Sequence, residues 1–600
     1  MAQLQRQPCL SAKLTPTIRA RPSRQLRTRV VAKADRTTEE RETPATLSTP
    51  DTPPAPVPGK DRPLTELDIL ALRGKTKPHK MDWPMKRGFV SVAWDQVAES
   101  AEDIGRHLNR AIRELPTTKA FDKLVGGGRG GKLRLQADKP VVLVLGSGWG
   151  AHSLMKVIDT DKYAVVCISP RNYFLFTPML PSTSVGTVEF RSLLEPVRVA
   201  NPFVDYFEAV CDRIDLDEKI ATCTGAIAYK DGRLPQFEVP YDILVVSVGE
   251  QSATFGTPGV RENCFFMKEI ADSVALRQRI QNQFELAALP GTSEEDMRTT
   301  LHFVVVGGGP TGVEFAGTLS DFLRNDLKRK YPELMSYVRV SLLNSAQSIL
   351  TQFDEKMQMH ALENFKRVGV DVRTGVRVTE VTQDIIKLKG GEEISYGVCV
   401  WSAGNAPRPL VQQLAEQIPE QAEFQPGGRP SKLAVDPFLR VIGANDVLAI
   451  GDNSLVVGDR LPTTAQVAGQ QGAYAAHMIN RGFMPLTGGL QQPPPSKVAD
   501  VLAPGQQMFA TMGSMATSDD GDEGLIYYKK PFEFLNLGTL AYIGDNEALT
   551  EILGFKLSGG LAYLIWKSVY ITKQVSFRNR VLILFDWMKA QVFGRDLSNF

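Results

Sequence analysis

The sequence predicts an α/β protein with two Rossmann-type dinucleotide-binding domains and a C-terminal, membrane-associating α-helical region. Three observations predict it. The apolar run 141–145 enters a glycine-rich turn, the apolar run 303–306 enters a second one, and residues 526–600 mix aromatic, aliphatic and basic side chains. Six hundred residues exceed one core, so several domains are expected. A net charge of +2 offers no polybasic face, and no nucleic-acid partner is expected. The most apolar C-terminal stretches, 561–570 and 581–587, are short and interrupted by Lys567 and Asp586, so none is long enough to span a bilayer.

The first 34 residues carry Arg6, Lys13, Arg19, Arg21, Arg24, Arg27, Arg29 and Lys33 and no acid, which is transit-peptide composition. A solvated basic tail is the alternative. The run 29–34 reads as a chloroplast processing site near Ala32, with a mitochondrial presequence as the alternative. Residues 35–134 read as a linker and N-terminal extension. They carry a helical pattern at Val97, Ile104, Leu108, Ile112 and Leu115 and end in a glycine hinge at 126–131.

The first domain is expected at 138–290 and 430–525. Val141–Leu145 lacks polar alternation, as a parallel strand buried on both faces does. It leads into Gly146-Ser147-Gly148-Trp149-Gly150-Ala151, a G-x-G-x-x-A turn followed by a helix. Gly146 permits the tight turn, Gly148 lets a pyrophosphate approach, and Ala151 lets helix and strand pack closely. The helix N-terminus offers free N–H groups to phosphate. The next strand ends in Ser169-Pro170-Arg171, where the fingerprint expects a carboxylate. A later strand ending in Gly451-Asp452 has the form that meets the ribityl chain of FAD, although an ordinary strand and turn would look similar.

The second domain is expected at 291–429. Gly307, Gly309 and Gly312 form a full G-x-G-x-x-G, with Pro310 and Thr311 between and Glu314 on the following helix. The strand after it ends at Asn344, where a carboxylate would hold a 2′-hydroxyl and repel a 2′-phosphate. Asn344 removes that repulsion, so NADPH is expected to be accepted alongside NADH.

The acceptor follows from the cysteines. Cys9, Cys167, Cys211, Cys223, Cys264 and Cys399 include no C-x-x-C and no C-x4-C pair, so neither a zinc cluster nor a dithiol against the flavin is expected, and no metal site. An external acceptor must then reach the flavin. Gln466 and Gln470 share one face of a helix and offer neutral donors suited to a quinone carbonyl, with plain helix surface as the alternative. The stretches 557–570 and 581–593 read as amphipathic helices on an anionic bilayer surface, with Trp566, Tyr570 and Trp587 at the interface; a packed subdomain or dimer contact is the alternative.

The chain resembles the type II (alternative, rotenone-insensitive) NAD(P)H:quinone oxidoreductases of plants, algae and fungi over about 138–600. The segments that carry this are 169–182, 186–189, 254–259, 264–269, 307–315, 465–470, 540–544 and 593–598. The family shares the Ser-Pro-Arg strand ending. The resemblance implies non-covalent FAD, NAD(P)H as substrate, and hydride transfer to the flavin followed by two-electron reduction of plastoquinone or ubiquinone without proton pumping. It implies that Gln466 and Gln470 border the quinone tunnel and that Glu314, near the nicotinamide, helps relay protons. The expected cofactor-lining set is Gly146, Ser147, Gly148, Trp149, Gly150, Ser169, Arg171, Thr177, Gly249, Gly307, Gly309, Pro310, Thr311, Gly312, Glu314, Asn344, Gly404, Gly451, Asp452, Ala465 and Gln466. The acidic 519–524 lacks EF-hand ligand spacing, so no calcium switch is expected. A peripheral enzyme on the stromal side of the thylakoid is expected, or else on the matrix side of the mitochondrial inner membrane, with a homodimer through 526–600. A reductase of a small soluble oxidant, or a redox-signalling flavoprotein, is the alternative.

Overall fold

The computed structural model describes residues 139–425, 431–482, 531–552 and 554–598, with shorter pieces at 92–97, 99–100, 103, 105, 515–517 and 526–528. The expected transit peptide, the glycine hinge, the positions Ile104, Leu108, Ile112 and Leu115, and the acidic 519–524 lie outside the described residues.

Val141–Leu145 pairs in parallel with Ala164–Ser169 on one side and Ile243–Val246 on the other. All three strands are buried on both faces, which is why they read as unbroken apolar runs. Val447–Ala449 joins the free edge of Ile243–Val246. On the opposite edge Asp205–Asp215 runs parallel to Ala164–Ser169 and then antiparallel to Ile220–Gly225, with Gln236–Pro240 outermost. One seven-stranded sheet therefore takes its last strand from far along the chain. A second, four-stranded parallel sheet lies between these segments in sequence, in the order Val370–Arg373, Arg339–Leu343, His302–Val306, Val398–Trp401.

Five helices position the site: α1 (Trp149–Val157), α2 (Pro310–Phe322), α3 (Ala465–Asn480), α4 (Gly560–Thr572) and α5 (Phe577–Phe593). Helix α3 packs tightly on α1, where a Cβ on Gly472 would lie 2.1 Å from the Gly150 carbonyl oxygen. Only glycine permits that approach.

The C-terminal region is not simply helical. It opens with a three-stranded antiparallel sheet, Thr539–Gly544, Glu547–Ile552 and Phe555–Gly559, before α4 and α5. The stretch 557–570, expected as one helix, is thus a strand end followed by α4. The sheet leans on α2, where a Cβ on Gly317 would meet the Gly544 nitrogen at 2.6 Å. Trp566, expected at a membrane interface, is buried, and Trp566 and Tyr570 turn inward. Several of the basic residues expected to face lipid instead tie the region to the body: Lys556 pairs with Asp354, Lys589 with Glu189, and Arg595 with Asp326. No helix among the described residues is long and apolar enough to cross a membrane.

Candidate active site

Both glycine turns open onto one cavity of about 1720 Å³. It brings together Gly146, Ser147, Gly148, Trp149, Gly150, Ser169, Arg171, Thr177, Gly249, Gly309, Pro310, Thr311, Glu314, Gly404, Gly451, Asp452, Ala465, Gln466 and Gln470. Gly307, Gly312 and Asn344 stand behind its wall. Trp401, Arg408 and Tyr570 join the lining without having been expected.

The glycines divide into two kinds. Gly146 and Gly307 have φ of +109° and +120°, and a Cβ on either would strike the neighbouring strand end, 2.3 Å from the Ser247 oxygen or 2.8 Å from Ser402 Oγ. Gly312 touches its own turn, with a Cβ 2.1 Å from the Gly307 oxygen. Gly148 and Gly309 have ordinary φ, and no protein atom crowds them: the nearest to a Cβ at Gly148 is Arg171 at 3.9 Å, and nothing lies within 4 Å at Gly309. Their lack of a side chain leaves space facing the cavity, as a pyrophosphate needs.

Gly148 and Gly309 are the N-caps of α1 and α2, and neither helix has a side-chain cap. Thr464 and Ser576 cap α3 and α5 with their hydroxyls. The ends of α1 and α2 at the two glycine turns thus keep N–H groups for an anion, whereas the start of α3, which also lines the cavity, is capped by Thr464. The residues therefore fit two dinucleotides, one per turn.

Side-chain hydrogen bonds hold the first cradle. Ser147 Oγ donates to the Tyr173 carbonyl at 2.9 Å and lies 3.0 Å from Ser169 Oγ, a use for the serine that stands near the missing carboxylate. Trp149 Nε1 donates to Thr177 Oγ1 at 3.1 Å. Arg171 pairs with Glu269, whose other oxygen is 3.8 Å from Arg408. Gln471 Oε1 accepts the Gly451 N–H at 2.6 Å, and Lys432 Nζ donates to the Asp452 carbonyl at 2.7 Å. Asn344 faces the second turn, not the cavity: its Oδ1 accepts the Gly308 N–H at 3.1 Å and its Nδ2 donates to the Ser348 carbonyl at 2.8 Å.

Glu314 sits on α2 where the C-terminal sheet and α4 converge. Its Oε1 accepts from the Tyr542 backbone N–H at 3.1 Å, Tyr570 Oη at 3.2 Å and Trp566 Nε1 at 3.3 Å. Burial pushes its pKa from 4.5 up to about 7, against the three donors that favour the anion. One turn pair further along α2, Asp321 accepts from the Tyr542 hydroxyl and from the Asp545 N–H. Burial raises both Asp321 and Tyr542 above their ordinary values.

Gln466 and Gln470 use their amides on the chain before the C-terminal sheet. Gln466 Nε2 donates to the Gly538 carbonyl at 2.8 Å and its Oε1 accepts from Leu537 N at 3.3 Å. Gln470 does the same with Leu535, at 2.9 and 3.0 Å. They hold residues 535–538 against the cavity. Two cysteines far apart in sequence do meet, Cys264 and Cys399 with Sγ atoms 3.3 Å apart, but neither lines the cavity.

The pyridine nucleotide-disulphide oxidoreductase family matches residues 140–472, and the NDH2 C-terminal domain family matches 536–596. The chain is 36% identical over 480 residues to an internal alternative NAD(P)H-ubiquinone oxidoreductase of Arabidopsis thaliana mitochondria, covering 77% of this chain and 86% of that protein. It is 36% identical over 489 residues to the external alternative NADH-ubiquinone oxidoreductase of Yarrowia lipolytica mitochondria, covering 78% and 82%. Among solved structures, Plasmodium falciparum NDH2 in complex with NADH superposes with a TM-score of 0.65 at 24% identity, over 77% of this chain and all of that one.

Proposed function

The chain belongs to the alternative NAD(P)H-ubiquinone oxidoreductases, the type II NADH dehydrogenases, and from that premise we propose how its residues divide the work. It is an FAD-dependent oxidoreductase that uses NAD(P)H and reduces a quinone without pumping protons. When bound, FAD would supply the two-electron redox chemistry that links NAD(P)H to the quinone.

The observation that carries the division is the shared cavity. Gly148 with the start of α1 would hold the FAD pyrophosphate, and Asp452 would meet its ribityl chain; both line the cavity. Gly309 with α2 holds the nicotinamide dinucleotide. Glu314, beside Tyr570 in the lining of the same cavity, can take up or release a proton near neutral pH, as reduction of a quinone requires. Gln466 and Gln470 border the quinone path and hold its wall at 535–538. We divide the body into an FAD-binding domain at 138–290 and 430–525, a nicotinamide-binding domain at 291–429 and a C-terminal domain at 526–600.

An apolar surface supports binding to a lipid surface. Leu561 and Leu564 on α4, and Phe577, Leu584, Phe585, Met588 and Val592 on α5, are exposed, and their spacing places them on helical stripes. The same stripes suit a homodimer, the other role proposed for 526–600. The relatives are named mitochondrial, which favours the mitochondrial inner membrane over the thylakoid suggested by the run near Ala32. Imaging a fusion of residues 1–60 to a fluorescent reporter decides between them.

The functional test is turnover. The purified full-length protein is expected to show a flavin spectrum and to oxidise NAD(P)H rapidly with a short-chain benzoquinone, and slowly with ascorbate radical. Absence of quinone-dependent turnover refutes the reading.

A further inference from the structure

The N-terminal extension supplies contacts that the function above does not use. Residues 92–97, 99–100, 103 and 105 are helical and precede the segment matched by either family. Gln96, Glu99 and Asp103 are spaced three and four apart, so they share one helical face. Gln96 Nε2 donates to Gln470 Oε1 at 3.0 Å, Asp103 lies 3.3 Å from His477 Nε2, and Glu99 lies 3.7 Å from Arg481. Gln470, His477 and Arg481 likewise share one face of α3 and its C-terminal end. The last two contacts are mostly withdrawn from water: the four side chains are 22% exposed or less. Val92 is buried at the start of the segment.

The contact at Gln470 fixes an orientation. The Leu535 N–H can only donate, so Gln470 Oε1 must face it, and the same oxygen accepts from Gln96. Turning the amide over would break the bonds to Leu535 N and O and would place a donor opposite the Gln96 NH2 as it now stands. Leu535 begins the 535–538 wall of the cavity, of which Asn536, Leu537 and Gly538 are lining residues.

We propose that the helical segment beginning at Val92 is a clamp on the quinone end of the cavity and that Gln96 is a positioning residue, acting through Gln470. The inference rests on the reading that Gln470 borders the quinone path. Leu535 sets which atom of Gln470 faces it, Gln96 adds a second donor to that same oxygen, and the contacts of Glu99 with Arg481 and Asp103 with His477 keep Gln96 in place.

The test uses the full-length, FAD-loaded enzyme and a short-chain benzoquinone. Gln96→Ala is expected to raise the quinone KM about three- to tenfold, the scale of one buried hydrogen bond, with kcat and the NAD(P)H KM within about twofold. Gln96→Glu preserves length and packing but turns an acceptor toward Gln470 Oε1, and is expected to raise the quinone KM at least as far. Gln470→Ala is expected to raise it too, and adding Gln96→Ala to that variant is expected to change nothing more. If Gln470→Ala raises the KM while both Gln96 variants keep the wild-type value, the clamp is overturned and the quinone path stands. If only Gln96→Ala acts, or if its effect adds to that of Gln470→Ala, positioning through Gln470 is overturned. If Gln470→Ala leaves the KM unchanged, the reading of the quinone path is overturned, and the clamp falls with it.

Discussion

Replacing Glu314 by Gln isolates the proton that this carboxyl holds. The side chain is 6% exposed, and burial moves its pKa from 4.5 to about 7. The folded chain therefore binds the proton more tightly than the unfolded chain does. The sign follows: this group favours folding fully below about pH 4.5, and that contribution is lost as pH rises towards 7 and stays lost above. A shift from 4.5 to about 7, at about 1.4 kcal/mol per unit, corresponds to roughly 3 kcal/mol. Gln is nearly isosteric, cannot ionise, and still presents an oxygen to Tyr542, Trp566 and Tyr570. The variant should match the wild type near pH 4.5 and exceed it by roughly 3 kcal/mol near pH 8, which is several degrees in Tm for a large domain. Thermal unfolding of the FAD-loaded protein, followed by flavin fluorescence at pH 5 and pH 8, measures the difference, and other titrating groups cancel in the comparison. A Tm difference equal at both pH values would refute an ionisation confined by burial.

The two kinds of glycine separate binding from folding. Gly309→Ala meets no protein atom, so it should leave Tm within about 1 °C and raise the NAD(P)H KM tenfold or more, whereas Gly312→Ala strikes the Gly307 oxygen and should cost about 2 kcal/mol or more in unfolding experiments. Asn344→Glu should raise the NADH/NADPH ratio of kcat/KM; because it also removes the donor to Ser348, a loss of about 1–2 kcal/mol in stability is expected with it. Phe585→Glu combined with Met588→Glu should weaken co-sedimentation with anionic vesicles at least tenfold while leaving short-chain quinone turnover within about twofold, and unchanged sedimentation would remove the lipid-surface role of α5.

Most of the nucleotide-binding architecture was legible because its signals are local. Val141–Leu145 and His302–Val306 are buried on both faces, and such strands carry no polar positions to confuse the pattern. The glycine turns follow within a residue. The C-terminal region was misread where the signal was mixed. Phe555, Leu557 and Gly559 alternate with Lys556 and Ser558, a period of two that marks the strand Phe555–Gly559, but the apolar residues after it invited one long helix. The inward aromatics could have been found: Tyr563, Trp566 and Tyr570 fall three and four apart on one face of α4, opposite the exposed Leu561 and Leu564. What surrounds Glu314 had no local signal, since its three donors come from residues 228, 252 and 256 positions away. The glutamines illustrate the same limit. Their spacing showed a shared face, and only the folded chain shows that the face grips backbone at 535–538.

The seven-stranded sheet also sets an order of events during synthesis. Its edge strand Val447–Ala449 and its covering helix α3 emerge long after Val141–Leu145, and the Asp159 N–H finds its partner Asn480 only across 321 residues. Parallel pairing at such separation is slow to form. The four-stranded sheet between them is contiguous in sequence and can close as soon as residue 401 has appeared. A ribosome-bound chain should therefore complete its nicotinamide half while its flavin half still exposes an apolar edge beside Ile243–Val246, which makes that interval the one in which chaperone protection matters most.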